Sequence, residues 1–313
     1  MKIYDCFTFY NELDLLEARL NILDSRVDYF VLVESTRTHS GEEKELVFEK
    51  NKERFARFSK KIIHIVVDDM PEVRGNNRMA SDNFQREAIM RGLSTCNAED
   101  MILISDLDEI PNLEDIDGIR KTLTMHANKK ERLYAFYYSL RKYIMAIRKK
   151  TKVVRLMKMV VVRFPIKSVK MVSFKQKLYY YYLNGFMCDD WFGTRAVLYG
   201  DLIDHYHSSP QEIRESSSKE IVEKGGWHFS YMFGPEEISR KIQTFAHSEF
   251  DKKEYTDVDA IKKRIRSGED LFGRKEKVTY VKIDNTYPKW LLENMDKYGQ
   301  YINRTYSDQT TKS

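Results

Sequence analysis

The sequence predicts an α/β protein built on a largely parallel, Rossmann-like sheet flanked by helices, and three observations carry that prediction. Short apolar runs recur at residues 2–9, 29–34, 62–67 and 101–105. Segments of helical spacing or dense charge separate them. The last run ends in Asp106-Leu107-Asp108-Glu109-Ile110. Apolar runs of this length read as strands buried on both faces. Strands alternating with helices imply parallel pairing through right-handed crossovers.

The elements follow in order. Residues 2–9 form the first strand. Asn11 is placed to cap a helix whose apolar positions Leu13, Leu16, Leu20 and Leu23 share one face. The second strand, 29–34, leads into a loop at 35–45, and a charged helix at 49–60 precedes the third strand at 62–67. A helix at about 82–93 precedes the fourth strand, which ends at Ser105. Beyond it the pattern is less regular. A helix is expected at 113–127, strand-like residues at 133–138, and basic strands thereafter. A loop centred on Asn184-Gly185 leads to Asp189-Asp190-Trp191. Pro235 suits the first turn of a helix running to about residue 250. Residues 1–305 are expected to form one domain with a polar tail at 306–313.

Composition narrows the function classes. The chain has 313 residues, 42% hydrophobic and 32% charged, which excludes a disordered polymer. Its 20 Tyr and 17 Phe suit stacking against sugars or bases, or simply an aromatic core. Three widely spaced cysteines give neither a disulfide framework nor metal-ligand spacing. No apolar run reaches transmembrane length, and the chain opens directly into strand-like sequence, so a cytoplasmic protein is expected. Net charge is +5, yet no acidic residue lies between Glu131 and Asp189. That basic block, 132–177, can face anionic lipid, phosphorylated substrate or nucleic acid, or be a solvated strand face.

Ligands of open α/β sheets collect outside the carboxyl ends of the strands. Asp106 and Asp108 leave the fourth strand there, and two hard carboxylates suit Mg²⁺ or Mn²⁺ holding a diphosphate. No glycine-rich phosphate loop follows the first strand, which favours a metal. Arg86 either pairs with a phosphate or forms a salt bridge with Asp82. Glu34 either holds a ribose or base, or is a strand-end acid facing water. His228, in Gly225-Gly226-Trp227-His228-Phe229-Ser230, either completes the metal site or is structural. Asp189-Asp190 beside Trp191 is a general-base candidate or a turn-forming pair, with Glu236 and Glu237 next in line.

As a set, these stretches resemble glycosyltransferase family 17. The matching residues are Tyr4-Asp5-Cys6-Phe7-Thr8-Phe9-Tyr10-Asn11-Glu12, Phe30-Val31-Leu32-Val33-Glu34-Ser35, Thr38-His39-Ser40-Gly41 and Phe84-Gln85-Arg86. They continue as Ile104-Ser105-Asp106-Leu107-Asp108-Glu109-Ile110-Pro111, Trp191-Phe192-Gly193-Thr194, Gly226-Trp227-His228-Phe229-Ser230-Tyr231, Phe245-Ala246-His247-Ser248-Glu249-Phe250-Asp251 and Asp270-Leu271-Phe272. The resemblance implies a GT-A type fold, a mixed sheet with a nucleotide-sugar-binding half at 1–130 and an acceptor-side half at 131–305. It implies inverting transfer of N-acetylglucosamine from UDP-GlcNAc, assisted by Mn²⁺ or Mg²⁺, onto a glycan hydroxyl. Donor-binding candidates are Phe9, Asn11, Glu34, Gln85, Arg86, Ser105 and Asp106. Metal candidates are Asp106, Asp108 and His228. Trp191 and Trp227 are acceptor-binding candidates, and Asp190, with Asp189, is the base. Animal members carry a membrane anchor and stem that this sequence does not open with. A bacterial or viral enzyme, at most weakly membrane-peripheral through the basic block, is therefore expected. The rivals are an Asp-x-Asp phosphatase, a basic nucleic-acid-binding protein and an inactive lectin-like relative.

Overall fold

The computed structural model describes residues 1–72, 77–125 and 171–304. Strands β1 (Ile3–Phe9), β2 (Tyr29–Ser35), β3 (Ile62–Val67) and β4 (Met101–Asp106) pair in the order β3-β2-β1-β4, all parallel. Their side chains divide between two cores. Phe7 and Phe9 of β1 join one, Tyr4 and Cys6 the other. Both faces of β1, β2 and β4 are covered, which is why these strands read as largely apolar runs, while the edge strand β3 is half-buried. Each fully buried Phe, Ile or Leu in them contributes about 1.5–3 kcal/mol.

The sheet then changes sense. Strand β7 (Gly185–Leu198) runs antiparallel to β4, and β6 (Val172–Tyr180) antiparallel to β7. Strand β9 (Gly226–Ser230) is parallel to β6 and antiparallel to β5 (Glu109–Pro111). Short strands β8 (Glu220–Val222) and β10 (Thr279–Tyr280) pair with β6 and β7. Strand β5 follows β4 after two residues yet closes the far end of the order. The mixed sheet must therefore curl back on itself, which sets the β4–β5 turn against β9.

Helix α1 (Leu13–Leu23) packs Leu16, Leu20 and Leu23 inward as their spacing predicts. Asn11 does not cap it. Glu12 holds the cap position without a side-chain cap bond, and Asn11 Oδ1 is buried with no hydrogen-bond partner in the described structure. The charged helix is shorter than expected: α2 (Val47–Asn51) gives way to a 3₁₀ segment, Lys52–Phe58. Helix α3 (Arg78–Glu87) begins earlier than expected and ends in 3₁₀ turns at Ala88–Gly92. Helix α4 (Ile116–Thr124) is capped by Asp115, whose side chain accepts from Gly118 N. Then come α5 (Tyr199–His205), α6 (Pro210–Glu215), α7 (Pro235–Thr244), α8 (Lys253–Thr256), α9 (Val258–Ser267) and α10 (Lys289–Glu293). The expected strands at 133–138 and most of the basic block lie outside the described residues, as does the tail. No helix among the described residues is long and apolar enough to cross a membrane.

Candidate active site

The turn between β4 and β5 presents Asp106 and Asp108 at the carboxyl ends of the parallel strands, on a cleft of about 640 Å³. A buried arginine holds that turn from beneath. Arg19, on the inner face of α1, forks onto both Asp5 oxygens at 2.6 and 2.8 Å. Its remaining N–H groups donate to the carbonyls of Asp106, Leu107 and Glu109 at 2.9–3.0 Å and to Ser105 Oγ at 2.6 Å. One rigid guanidinium thus fixes three carbonyls of a tight turn, a geometry a lysine does not match. Glu109, fully buried, closes the turn by accepting from Asp106 N at 2.9 Å.

Three cations face these carboxylates. Arg86, on α3, reaches Asp106 Oδ1 at 3.0 Å, and Arg214, on α6, reaches Asp106 Oδ2 at 3.1 Å and Glu109 Oε1 at 2.6 Å. Burial alone would raise the Asp106 carboxyl, but the two arginines hold it well below the ordinary carboxylate range. Lys241, on α7, reaches Glu12 at 3.0 Å and lies 5.5 Å from the Tyr231 ring centroid. Burial opposes its charge, while Glu12 and Asp108 more than offset that and raise its pKa.

Asp108 and His228 form the other half of the site. Strand β9 lies beside β5 with His228 opposite Glu109, and His228 Nε2 stands 3.4 Å from Asp108 Oδ1. Burial disfavours both charges, yet each stabilises the other, so the imidazole is raised and the carboxyl lowered. The Trp191 ring centroid is 4.8 Å from that of His228, and its indole N–H donates to Glu109 Oε1 at 2.8 Å. Beyond β9, Tyr231 lines the cleft at φ 56°, an uncommon backbone state for a large side chain. A carboxylate oxygen and an imidazole nitrogen at this spacing suit a transition-metal ion. No third His, Cys, Asp or Glu completes a cluster among the described residues, which would leave positions open to water and diphosphate oxygens. Asp106, expected as a ligand, has both oxygens on guanidinium groups instead.

The other expected site residues scatter. Phe9, Gln85, Arg86 and Trp191 line the cleft. Arg86 forms the salt bridge with Asp82 at 2.9 Å that one of its sequence readings offered, and it binds Asp106 as well. Gln85 donates to Val33 O at 3.1 Å and lies 3.0 Å from His39 Nε2. Glu34 is fully buried rather than facing water or ligand. It accepts from Phe48 N at 3.1 Å and Lys44 Nζ at 3.3 Å, which anchors the 35–45 loop. Ser105 is buried against Arg19. Trp227 is a core residue, 8% exposed, with its N–H given to Thr286 O at 3.0 Å, and it does not line the cleft. Asp189 and Asp190 lie on strand β7 rather than in a loop, are exposed, and are not among the cleft-lining residues. Strand pairing is irregular there, with Gln176 opposite Trp191 and Leu178 opposite Cys188, so Asp189 and Asp190 fall in a bulge. Glu236 pairs with Lys262 away from the cleft.

The sequence reading missed Arg19, Arg214, Lys241 and Glu215. Arg19 sits at a core position of an otherwise regular leucine face, and an arginine in that register is a signal of a buried polar partner. Arg214, Lys241 and Glu215 lie on helices in the irregular half, where no spacing linked them to Asp106.

Fold and site together define a mixed α/β protein with a cation-rich, carboxylate-bearing cleft outside its parallel strands. The model of glycosyltransferase family 17 matches residues 1–158, and the chain belongs to that family. It is similar to the Beta-1,4-mannosyl-glycoprotein 4-beta-N-acetylglucosaminyltransferase of Mus musculus, 22% identical over 327 residues, covering 98% of this chain and 55% of the relative. The Homo sapiens protein of the same name is also 22% identical, with 98% of this chain and 56% of the relative covered. The chain spans about half the length of the curated relatives it matches.

Proposed function

We propose that this chain is a metal-dependent, inverting glycosyltransferase of GT-A type that moves N-acetylglucosamine from UDP-GlcNAc onto a glycan hydroxyl. The observation that carries the reading is the convergence of Asp108 and His228 with Arg86, Arg214 and Lys241 on one cleft at the strand ends. The mannosyl-glycoprotein acceptor in the relatives' names makes a mannose-containing glycan the first acceptor to test.

Asp108 and His228 would hold Mn²⁺ or Mg²⁺, which when bound neutralises charge on the departing diphosphate. Arg86, Arg214 and Lys241 supply further positive charge to the same phosphates from preorganised positions. Arg19 keeps the carboxylate turn in place. The acceptor oxygen attacks the anomeric carbon opposite the diphosphate, so one C–O bond forms as the other breaks and the anomeric configuration inverts. A carboxylate must take the acceptor proton. Among the described residues lining the cleft, Glu12, Asp82, Asp106 and Asp108 each face a cationic or imidazole partner. Glu215, exposed at the end of α6, accepts from Gln211 Nε2 at 2.8 Å, with no ion pair among those residues. It replaces Asp190 as the proposed base.

A panel of UDP- and GDP-sugars, screened by thermal shift with and without Mn²⁺, tests this reading. A donor at 100 times its Kd adds about 2.7 kcal/mol of stability. UDP-GlcNAc is expected to stabilise the protein only with the metal, and Glu215→Gln to bind it normally but lose transfer. No stabilisation by any nucleotide sugar would overturn the proposal.

A further inference from the structure

A second, smaller cavity of about 240 Å³ adjoins the cleft. Glu12, Asp108, Tyr231 and Lys241 line both spaces, so the two meet beside the carboxylate placed at the diphosphate. Away from that junction the walls include Leu13, Ala18, Phe229 and Met232, and also Asp14, Arg54, Tyr298 and Tyr301 of the clasp between α1 and the C-terminal segment. Asn11 lines it too, and its Oδ1 is a buried acceptor without a hydrogen-bond partner in the described structure. The Asn11 backbone is fixed, its N–H donating to Glu12 Oε2 at 3.0 Å and its carbonyl accepting from Leu13 N at 3.0 Å. A buried acceptor left unpaired is costly, so one beside the apolar walls of Ala18 and Met232 marks a place for a donor with an alkyl neighbour.

We infer that this cavity seats the N-acyl group of the transferred sugar, with Asn11 as its specificity-determining residue. The inference rests on the donor reading above, which puts the sugar next to the diphosphate and hence at this junction. An acylamino group offers what the pocket lacks. Its N–H donates to Asn11 Oδ1. Its carbonyl accepts from the Lys241 ammonium, one of whose three hydrogens points to Glu12. Its alkyl end covers Ala18 and Met232. A sugar bearing a hydroxyl at that position leaves the apolar walls to water.

Titration calorimetry with UDP, UDP-glucose and UDP-GlcNAc, in the presence of MnCl₂, tests the assignment, because the two sugars differ only at the acylamino position. The wild type is expected to prefer UDP-GlcNAc over UDP-glucose by about tenfold, the effect of one well-placed buried hydrogen bond. Asn11→Ala removes the acceptor, and Ala18→Leu fills the cavity from α1. Each is expected to bring the ratio near one while UDP affinity holds. Equal binding of the two sugars by the wild type would show a hydrated void only and overturn the inference. A preference kept by both variants would overturn it as well. Failure of UDP itself to bind the wild type would instead overturn the donor reading on which it rests.

Discussion

Arg19 and Asp5 meet at 2.6 Å with neither side chain exposed, directly beneath the turn that carries Asp106 and Asp108. The pair joins the first strand and first helix to the site. Removing one member of such a pair leaves the other charge buried and costs about 3–5 kcal/mol. Arg19→Met is therefore expected to lower the urea midpoint steeply, and Arg19→Lys to keep the charge but loosen the turn. An unchanged midpoint in Arg19→Met would refute this role.

Asp108→Asn and His228→Ala are expected to remove Mn²⁺-dependent stabilisation by UDP and to lower transfer by ~10²–10³-fold, the usual effect of deleting a group that stabilises developing charge. Both proteins should melt cooperatively. Wild-type turnover in either one would sink the ligand assignment.

The clasp between α1 and the C-terminal segment predicts an acid-sensitive contribution to stability. Asp14 accepts from Tyr301 Oη at 2.7 Å and pairs with Arg54, while Glu17 pairs with Arg54 and Lys297. Burial pushes both carboxyls up, but these donors outweigh it and leave both pKa values lowered. A carboxyl lowered on folding stabilises above its unfolded value, roughly pH 4, and that stabilisation is lost as pH falls through the folded value. The double variant Asp14→Asn/Glu17→Gln should melt lower than wild type at pH 7, with the gap closing as pH falls through the lowered folded values. A gap that stays constant with pH would contradict the charge argument.

Gly226 lets β9 approach β5. Its φ is +125°, and an added Cβ would stand 2.1 Å from Ile110 O. Gly226→Ala therefore combines backbone strain, about 1–3 kcal/mol, with a clash against main chain that nothing flexible relieves. Gly273 is the control: its φ is +75°, but a methyl added there would meet nothing within 4 Å. Chemical denaturation should show Gly226→Ala as clearly the more damaging. Equal costs would mean that the close approach is unimportant.

The parallel half of the sheet was legible because β1, β2 and β4 are buried on both faces, and the half-buried edge strand β3 still spans residues 62–67 as its apolar run indicates. The strand-end carboxylates were legible for the same reason: an apolar run must end where charge begins. What escaped was the direction of side chains. Glu34 and Trp227 sit in motifs that look like ligand contacts, yet strand register turns them into the core. Asp189 and Asp190 look like a turn because their acidity masks a fourteen-residue strand, Gly185–Leu198. Arg214, 108 positions from Asp106, was invisible to any local pattern. The pairing of Asp108 with His228 was suggested by chemistry, and its 3.4 Å spacing comes from β5 lying against β9.

That strand order also sets a timetable for synthesis. A nascent chain that has emerged only as far as β5 holds the four parallel strands, but β4 still lacks its neighbour β7, and the carbonyl of Asp108 lacks the N–H of Phe229, 2.9 Å away in the finished fold. An unpaired central strand rich in Ile and Leu is a template for pairing with other chains. The edge of β4 can be covered only after residue 198 has left the ribosome, so the segment translated between β5 and β7 fixes how long that hydrophobic edge stays open.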